Sequence, residues 1–145
     1  PRAERVRARL GEADAHLAEA RKRLGARPSD PLTALAEVLA SFRASLLAFL
    51  NDYGATPDPE GGLATLGERA VRNASVLKTP VHRALLLVAR APAIRQAVRL
   101  SVNDRADVET GCYTARNLVQ TVRAALPAAL AERALLTPSA PEAGS

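Results

Sequence analysis

The sequence predicts an all-α protein, an antiparallel bundle of four to five helices. Apolar residues recur at steps of three and four along most of the chain, and short breaks rich in proline and glycine separate these periodic segments. A chain of 145 residues suits one domain that buries a core without disulfides or a structural metal. We therefore expect one helical domain over residues 1–136 and a flexible C-terminal tail over residues 137–145.

The first two helices are predicted by their apolar stripes and their end signals. The first covers residues 2–24, and Gly25 is a suitable stop. Asp30 can cap a second helix, because its side chain can accept a backbone N–H, and Pro31 suits the first turn, where its missing N–H costs nothing. The second helix extends to Leu50 with a wide apolar face, so we expect it to lie at the centre of the bundle.

The middle of the chain is predicted to hold a loop and two further helices. Residues 55–62 contain two prolines and two adjacent glycines, a composition typical of a loop. A third helix follows and ends near residue 77, and Thr79, which precedes a proline, predicts the cap of a fourth. Pro92 is expected to stop or kink that helix, leaving a short piece over residues 93–100.

The last helix is predicted to open at Asn103 and Asp104, two residues that favour helix starts. Its apolar positions continue to residue 126, where Pro127 is expected to kink or restart it. Residues 128–136 are expected to continue as helix before the tail begins.

The composition excludes several classes of protein. One cysteine, Cys112, allows no intramolecular disulfide, and two separated histidines, His16 and His82, give no Cys/His zinc site. Cys112 also falls on the apolar side of the last helix, which predicts a buried, unreactive thiol. No run approaches the roughly 18 uninterrupted apolar residues of a membrane span. We therefore expect a cytoplasmic protein with no metal, no cofactor and no membrane contact.

Positive charge is concentrated in the second half of the chain. The net charge is +5, and residues 61–100 contain seven basic residues against one acidic residue, Glu68. A positively charged surface attracts phosphates and accelerates their encounter with the protein. We therefore predict nucleic-acid or phosphate binding by Arg69, Arg72, Arg83, Arg95 and Arg99. The alternative is that these arginines serve only the solubility of the helix surfaces, since no aromatic side chains accompany them for base stacking.

The order of these features resembles the HEPN (higher eukaryotes and prokaryotes nucleotide-binding) domain family. The resemblance covers about residues 8–130. It rests on the Ala/Leu-rich opening over residues 13–20, ALAEVLASFRASLLAFL over 34–50, the Pro/Gly loop, GLATL over 62–66 and VNDRADVETGCYTARNLVQTVRAAL over 102–126. It implies a domain that dimerises and binds RNA or a nucleotidyltransferase-type protein, as relatives in toxin–antitoxin and defence systems do.

The resemblance also implies where catalytic residues would lie. Catalytic HEPN domains are metal-independent RNases with an arginine, four to six further residues and then a histidine near the start of the closing helix. Arg105 matches the arginine, whereas positions 110–112 hold threonine, glycine and cysteine, and Tyr113 falls where some members have a tyrosine. We therefore expect a non-catalytic domain. The alternative is a metal-independent RNase in which Arg105 stabilises the phosphate and Tyr113 or His82 assists.

A second arginine–histidine spacing occurs on the first helix. Arg9 and His16 have the arginine–histidine spacing on the first helix and share a helix face, but chance matches are frequent in an arginine-rich sequence, so we assign them no catalytic role. A structural or adaptor bundle with no nucleic-acid role is the alternative from another class. For either HEPN hypothesis we expect a homodimer, formed through the apolar face of either the second or the last helix.

Overall fold

The computed structural model describes residues 2–50 and 61–126, and it confirms the predicted all-α bundle. Five α-helices follow one another along the chain: α1 (Arg2–Gly25), α2 (Pro31–Leu50), α3 (Gly61–Asn73), α4 (Lys78–Gln96) and α5 (Val102–Ala125). A 3-10 turn, Ser75–Leu77, joins α3 to α4, and no strand occurs in the described residues. The predictions for residues 51–60, for Pro127 and for the stretches 128–136 and 137–145 lie outside those residues.

α2 is the central helix, as its wide apolar face predicts. It packs against all four other α-helices, and Leu35, Phe42 and Leu46 are fully or almost fully buried on it. Within the described part of the chain, α2 alone has the length and mean hydropathy of a membrane-crossing helix, and 61% of its most apolar 18 residues are buried inside the bundle. Its apolar composition is therefore matched by its position in the core.

Contacts between α1 and α2 show that these helices run antiparallel. The hydroxyl of Ser41 donates to the carbonyl oxygen of Ala13 over 2.8 Å, and the backbone N–H of Asp30 donates to the carbonyl oxygen of Arg23 over 2.9 Å. The later residue of α1, Arg23, thus contacts the earlier partner, Asp30, and Ala13 contacts the later Ser41, as in an antiparallel pair. The buried Ser41 hydroxyl is satisfied by this bond, which fixes the register of the two helices.

α4 and α5 are also antiparallel neighbours. Arg90 Nη2 donates to Asp104 Oδ1 over 2.8 Å, and further along the pair the backbone of Gly111 lies against Leu87. A Cβ placed on Gly111 would lie only 2.5 Å from Leu87 Cδ2 and 3.1 Å from Val38 Cγ1. The absence of a side chain at this position therefore lets α5 approach both α4 and α2.

An aspartate side chain takes part in the cap at the start of both α2 and α5. Asp30 Oδ1 accepts the backbone N–H of Thr33 over 3.2 Å, which confirms the predicted cap of α2. At α5 the N-cap is Ser101 rather than the predicted Asn103: Ser101 Oγ accepts the N–H of Asp104, and Asp104 Oδ2 accepts the N–H of Ser101, both over 3.0 Å. This reciprocal pair is a capping box, and it places the cap of α5 two residues before the predicted Asn103.

The caps make the fold sensitive to acid. Hydrogen bonds from Thr33 hold the pKa of Asp30 below its usual 3.8, and the backbone N–H of Ser101, helped by the charge of Arg90, does the same for the pKa of Asp104. A carboxyl group whose pKa is lower in the folded state stabilises the fold above its unfolded pKa. That contribution is lost as the pH falls through the lowered pKa.

The boundaries of α3 and α4 differ from those predicted. α3 includes Gly61, which the sequence assigns to a loop, and it ends at Asn73 because the 3-10 turn follows. That turn leads directly into α4, whose N-cap is Leu77 without a side-chain hydrogen bond. Thr79 consequently lies inside the first turn of α4, and its predicted role as the cap is wrong.

Pro92 does not stop α4, which was one of the two outcomes predicted for it, a stop or a kink. The helix continues through Pro92 to Gln96, and no separate helix forms over residues 93–100. Pro92 is exposed, so its ring and the missing N–H lie on the side of the helix that faces solvent. Water can bond to a carbonyl left free on that side, which makes a proline there tolerable.

The close approach at Gly111 gives a stability prediction. Gly111→Ala should lower the free energy of unfolding by about 1–3 kcal/mol, because the added methyl overpacks the contact with Leu87 and Val38. Gly11→Ala is the matched control: no atom lies within 4 Å of the added Cβ, so better helix propensity should raise stability by about 0.5–1 kcal/mol. Urea denaturation measures both, and equal effects of the two substitutions would contradict the packing at Gly111.

Candidate functional site

The five arginines predicted to bind phosphate lie on α3, on α4 and just after α4. Arg83 and Arg95 are separated by about 18 Å along α4, so the five do not form one compact cluster. Arg69 and Arg95 each have an interaction within the protein. Arg72, Arg83 and Arg99 are exposed, and none of these three has an ion-pair partner among the described residues. Two of the five predicted arginines therefore already interact within the protein, and the other three are open to a ligand.

A groove between α3 and α4 gathers part of this charge and is called here the α3–α4 groove. Arg72, Lys78 and His82 line it together with one acid, Glu68, and its volume is about 430 Å³. The remaining lining side chains are Val71, Val81 and Leu85. The groove therefore combines cationic side chains with an apolar surface, and the sequence prediction contains Arg72 but neither Lys78 nor His82.

Arg90 shows why a count of charge within one segment overstates the positive field. Its guanidinium contacts Asp104 over 2.8 Å and Asp107 over 3.2 Å, both on α5. These carboxylates lie outside residues 61–100, in which Glu68 is the one acid. The unpaired cations that share a groove, Arg72 and Lys78, therefore lie on α3 and at the start of α4, away from Arg90.

Arg105 and Tyr113, the candidates that the HEPN resemblance implies, are not brought together. Both are exposed on α5, and the eight residues between their positions correspond to about 12 Å along the helix. Tyr113 lines a cavity of about 580 Å³ with Arg21 and Arg116, whereas Arg105 does not line it. No imidazole lines this cavity, so an arginine–histidine pair is not assembled here within one chain.

A second groove, between α1 and α2, holds a pair that the sequence analysis missed. In this α1–α2 groove His16 Nδ1 lies 2.6 Å from Glu37 Oε2, and both side chains are partly exposed. Arg9 lines the same groove, with its Nη1 donating to Glu12 Oε2 over 2.9 Å. Arg43 and a floor of alanine and leucine side chains complete a volume of about 370 Å³.

The histidine–glutamate pair is an arrangement suited to proton transfer. A carboxylate accepts hydrogen bonds, so Nδ1 of His16 is the donor to Glu37 and Nε2 is left to take up or release a proton. Arg9 and His16 lie on the same face of α1, as their spacing predicts, because both side chains line this groove. Glu37 carries no sequence signal, because it stands 21 residues from His16 and reaches it only through the packing of α1 on α2.

The described residues give no sign of a metal or thiol centre. They contain no group of three or more histidine, cysteine, aspartate or glutamate side chains placed to hold a metal ion. Cys112 is a free, buried cysteine, and its burial raises the pKa of the thiol. A thiol with a raised pKa is a poor nucleophile at neutral pH, in agreement with the predicted unreactive cysteine.

Comparison with known proteins does not extend this picture. The chain matches no protein-family model, no curated protein and no solved structure. The relationship to HEPN domains stays a prediction, and support for a function comes from the side chains described above.

The contact between His16 and Glu37 gives a spectroscopic prediction. In neutral His16 the proton should reside on Nδ1, because Glu37 accepts it, and long-range ¹H–¹⁵N correlation spectra identify that tautomer. Glu37→Ala should remove the preference, whereas His82, which lines the other groove, is the internal control and should keep its spectrum. An unchanged His16 spectrum in Glu37→Ala would contradict the contact.

Proposed function

We propose that this chain is a HEPN-like helical domain that binds RNA through the α3–α4 groove and through Arg83, which lies on the side of α4 that faces α5, without cleaving it. One observation supports the proposal above others. Arg72, Lys78 and Arg83 are exposed on neighbouring helices, and none of them has an ion-pair partner in the described residues. Cations without carboxylate partners are free to replace the counterions of a phosphate backbone.

The lining of the groove, apart from Glu68, suits single-stranded RNA held by its backbone. The cationic side chains of Arg72 and Lys78 would contact phosphates, and the surface of Val71, Val81 and Leu85 offers apolar contact for a base or sugar. Among the described residues no Phe, Tyr or Trp side chain lines the groove, so base stacking is limited to the imidazole of His82. Binding of this kind is weakly sequence-specific and strongly dependent on salt.

The arrangement on α5 supports binding without the HEPN type of cleavage. Arg105 and Tyr113 stand apart, and two of the three positions where the family carries its histidine are buried, Gly111 and Cys112. A side chain at Gly111 would collide with Leu87 and Val38. The closing helix thus has no acid–base group at the place that the resemblance implies.

The HEPN resemblance suggests the biological context of this proposal. The protein would be a cytoplasmic homodimer in a toxin–antitoxin or defence system. Its partner would be RNA or a nucleotidyltransferase-type protein. The apolar face of α2 that motivated the dimer is buried within the chain. The apolar side chains that remain exposed in the described residues are Leu32, Val76, Leu86, Val98, Val102 and Tyr113. Within the described residues, the large apolar side chains open to a dimer interface are those of this second set.

A charge-removing variant tests the RNA site. Replacement of Arg72, Lys78 and Arg83 by glutamine should weaken binding of a fluorescent single-stranded RNA by about tenfold or more at low salt. The slope of log affinity against log salt should become shallower by about 2, at roughly 0.7 for each lost phosphate contact. Fluorescence anisotropy over a series of salt concentrations measures both quantities.

The matched control removes the same charge from α1. Arg2, Arg21 and Lys22 are exposed there, and their replacement by glutamine lowers the net charge by the same three units. This control should retain most of the affinity. Equal losses in the two triple variants would refute a local site, and an absence of binding by the wild type at low salt would favour the structural or adaptor bundle.

The α1–α2 groove supports a second candidate function, a metal-independent RNase. Nε2 of His16 would act as the acid–base group, oriented by Glu37, and Arg9 would stabilise the phosphate. Cleavage of labelled RNA that is lost in His16→Asn and kept in Arg105→Ala would establish this function and overturn binding without cleavage. Loss in Arg105→Ala alone would instead restore the family mechanism, and cleavage unchanged in both variants would identify a contaminating nuclease.

A further inference from the structure

A small polar cavity lies between the first turn of α4 and the second half of α5, beside Arg83. Its volume is about 220 Å³, and it is lined by Thr79, Pro80, Arg83, Thr114, Asn117, Gln120 and Thr121. No carboxylate lines it, and Arg83 is its one charged residue. The lining is thus dominated by hydroxyl, amide and guanidinium groups, in contrast to the apolar surface of the α3–α4 groove.

Thr114 is the residue that points to a ligand. It is 5% exposed and lines the cavity, yet its hydroxyl has no hydrogen bond within the described part of the protein. The oxygen atom of this hydroxyl keeps contact with solvent, so a ligand that enters the cavity can take the place of water on it. The neighbouring Thr121 differs, since its Oγ1 donates to the carbonyl oxygen of Asn117 over 2.7 Å.

The remaining groups favour an anion with several oxygen atoms. The Arg83 guanidinium supplies charge and up to five N–H donors, and the Asn117 and Gln120 side chains supply amide donors beside the Thr114 hydroxyl. The start of α4 adds the positive end of a helix dipole. The backbone N–H of Lys78 adds no donor, because it bonds to the carbonyl oxygen of Ser75.

We propose that this cavity between α4 and α5 binds a phosphate monoester, with Arg83, Thr114, Asn117 and Gln120 as the donors. A terminal phosphate exposes three oxygen atoms and carries up to two negative charges, which matches a set of donors around one guanidinium. The ester substituent, a sugar in the simplest case, extends toward the open side of the cavity. If the protein binds RNA as proposed, the ligand of this site would be the terminal phosphate of an RNA. The identification of the ligand as RNA rests on the proposed function, whereas the phosphate monoester site itself does not.

The first test uses ribose 5-phosphate as the probe, with binding followed by ¹H–¹⁵N spectra of the full chain. Wild type should show saturable shifts on α4 and α5, and Thr114→Val should weaken binding by about tenfold, because it removes one hydrogen bond to a charged ligand. Valine keeps the shape of threonine, so the variant retains the fold. Arg83→Gln should weaken binding at least as much, whereas Arg2→Gln, a control of equal charge at an exposed position of α1, should change it less than about twofold.

The second test separates this site from RNA binding in general, using two RNAs of one sequence with a 5′-phosphate or a 5′-hydroxyl. Tighter binding of the phosphorylated RNA, lost in Thr114→Val, supports the site and its RNA assignment. Shifts with ribose 5-phosphate but no binding of either RNA would keep the site and refute the proposed function. Equal binding of both RNAs without shifts from ribose 5-phosphate, or equal affinity of Thr114→Val and wild type, would overturn the site.

Discussion

Burial of α2 is the constraint on which the rest of the structure depends. A helix of this apolar composition is stable in water only if other helices cover it, and α1, α3, α4 and α5 all pack against it. Each of those four helices must then present an apolar stripe inward and a polar side outward. The hydroxyl of Ser41, bonded to the carbonyl oxygen of Ala13, fixes how α1 lies on this central helix. Charged side chains are thereby confined to the outside of a bundle with a defined register.

The distribution of charge follows from that arrangement. α1 and α5 carry carboxylates close to their cations: Asp14 pairs with Arg123 across the two helices, and Asp104 takes up the charge of Arg90. α3 and the start of α4 carry one carboxylate in the described residues, Glu68, and it forms no ion pair with Arg72 or Lys78 although it lines the same groove. Unpaired cations attract a phosphate ligand, which is why the proposed RNA groove lies on α3 and the start of α4.

Much of the fold could be predicted because local patterns decide it. The stripe from Val6 to Ala20 on α1 is buried as its spacing predicts, and Asp30 caps α2 as its residue type predicts. The failures concern features that depend on three-dimensional surroundings. Pro92 is tolerated because its face is exposed, and Thr79 loses the role of cap because a 3-10 turn enters α4 directly.

The candidate sites were less predictable than the fold, for the same reason. His16 meets Glu37, and Thr114 faces Arg83, only after helices from distant parts of the chain pack in one register. Charge counted along the sequence correctly indicates the basic half, but it cannot show that Arg90 is neutralised from α5. Spacing within one helix is visible in a sequence, whereas the rotation of one helix against another is not.

The most direct test of the account is a map of backbone amide shifts upon titration with a short single-stranded RNA at low salt. The account predicts that the changes concentrate on α3 and the first half of α4, around Arg72, Lys78 and Arg83, and that they fade as salt is added. Changes concentrated around His16 and Glu37 in the α1–α2 groove, or no changes at low salt, would contradict it.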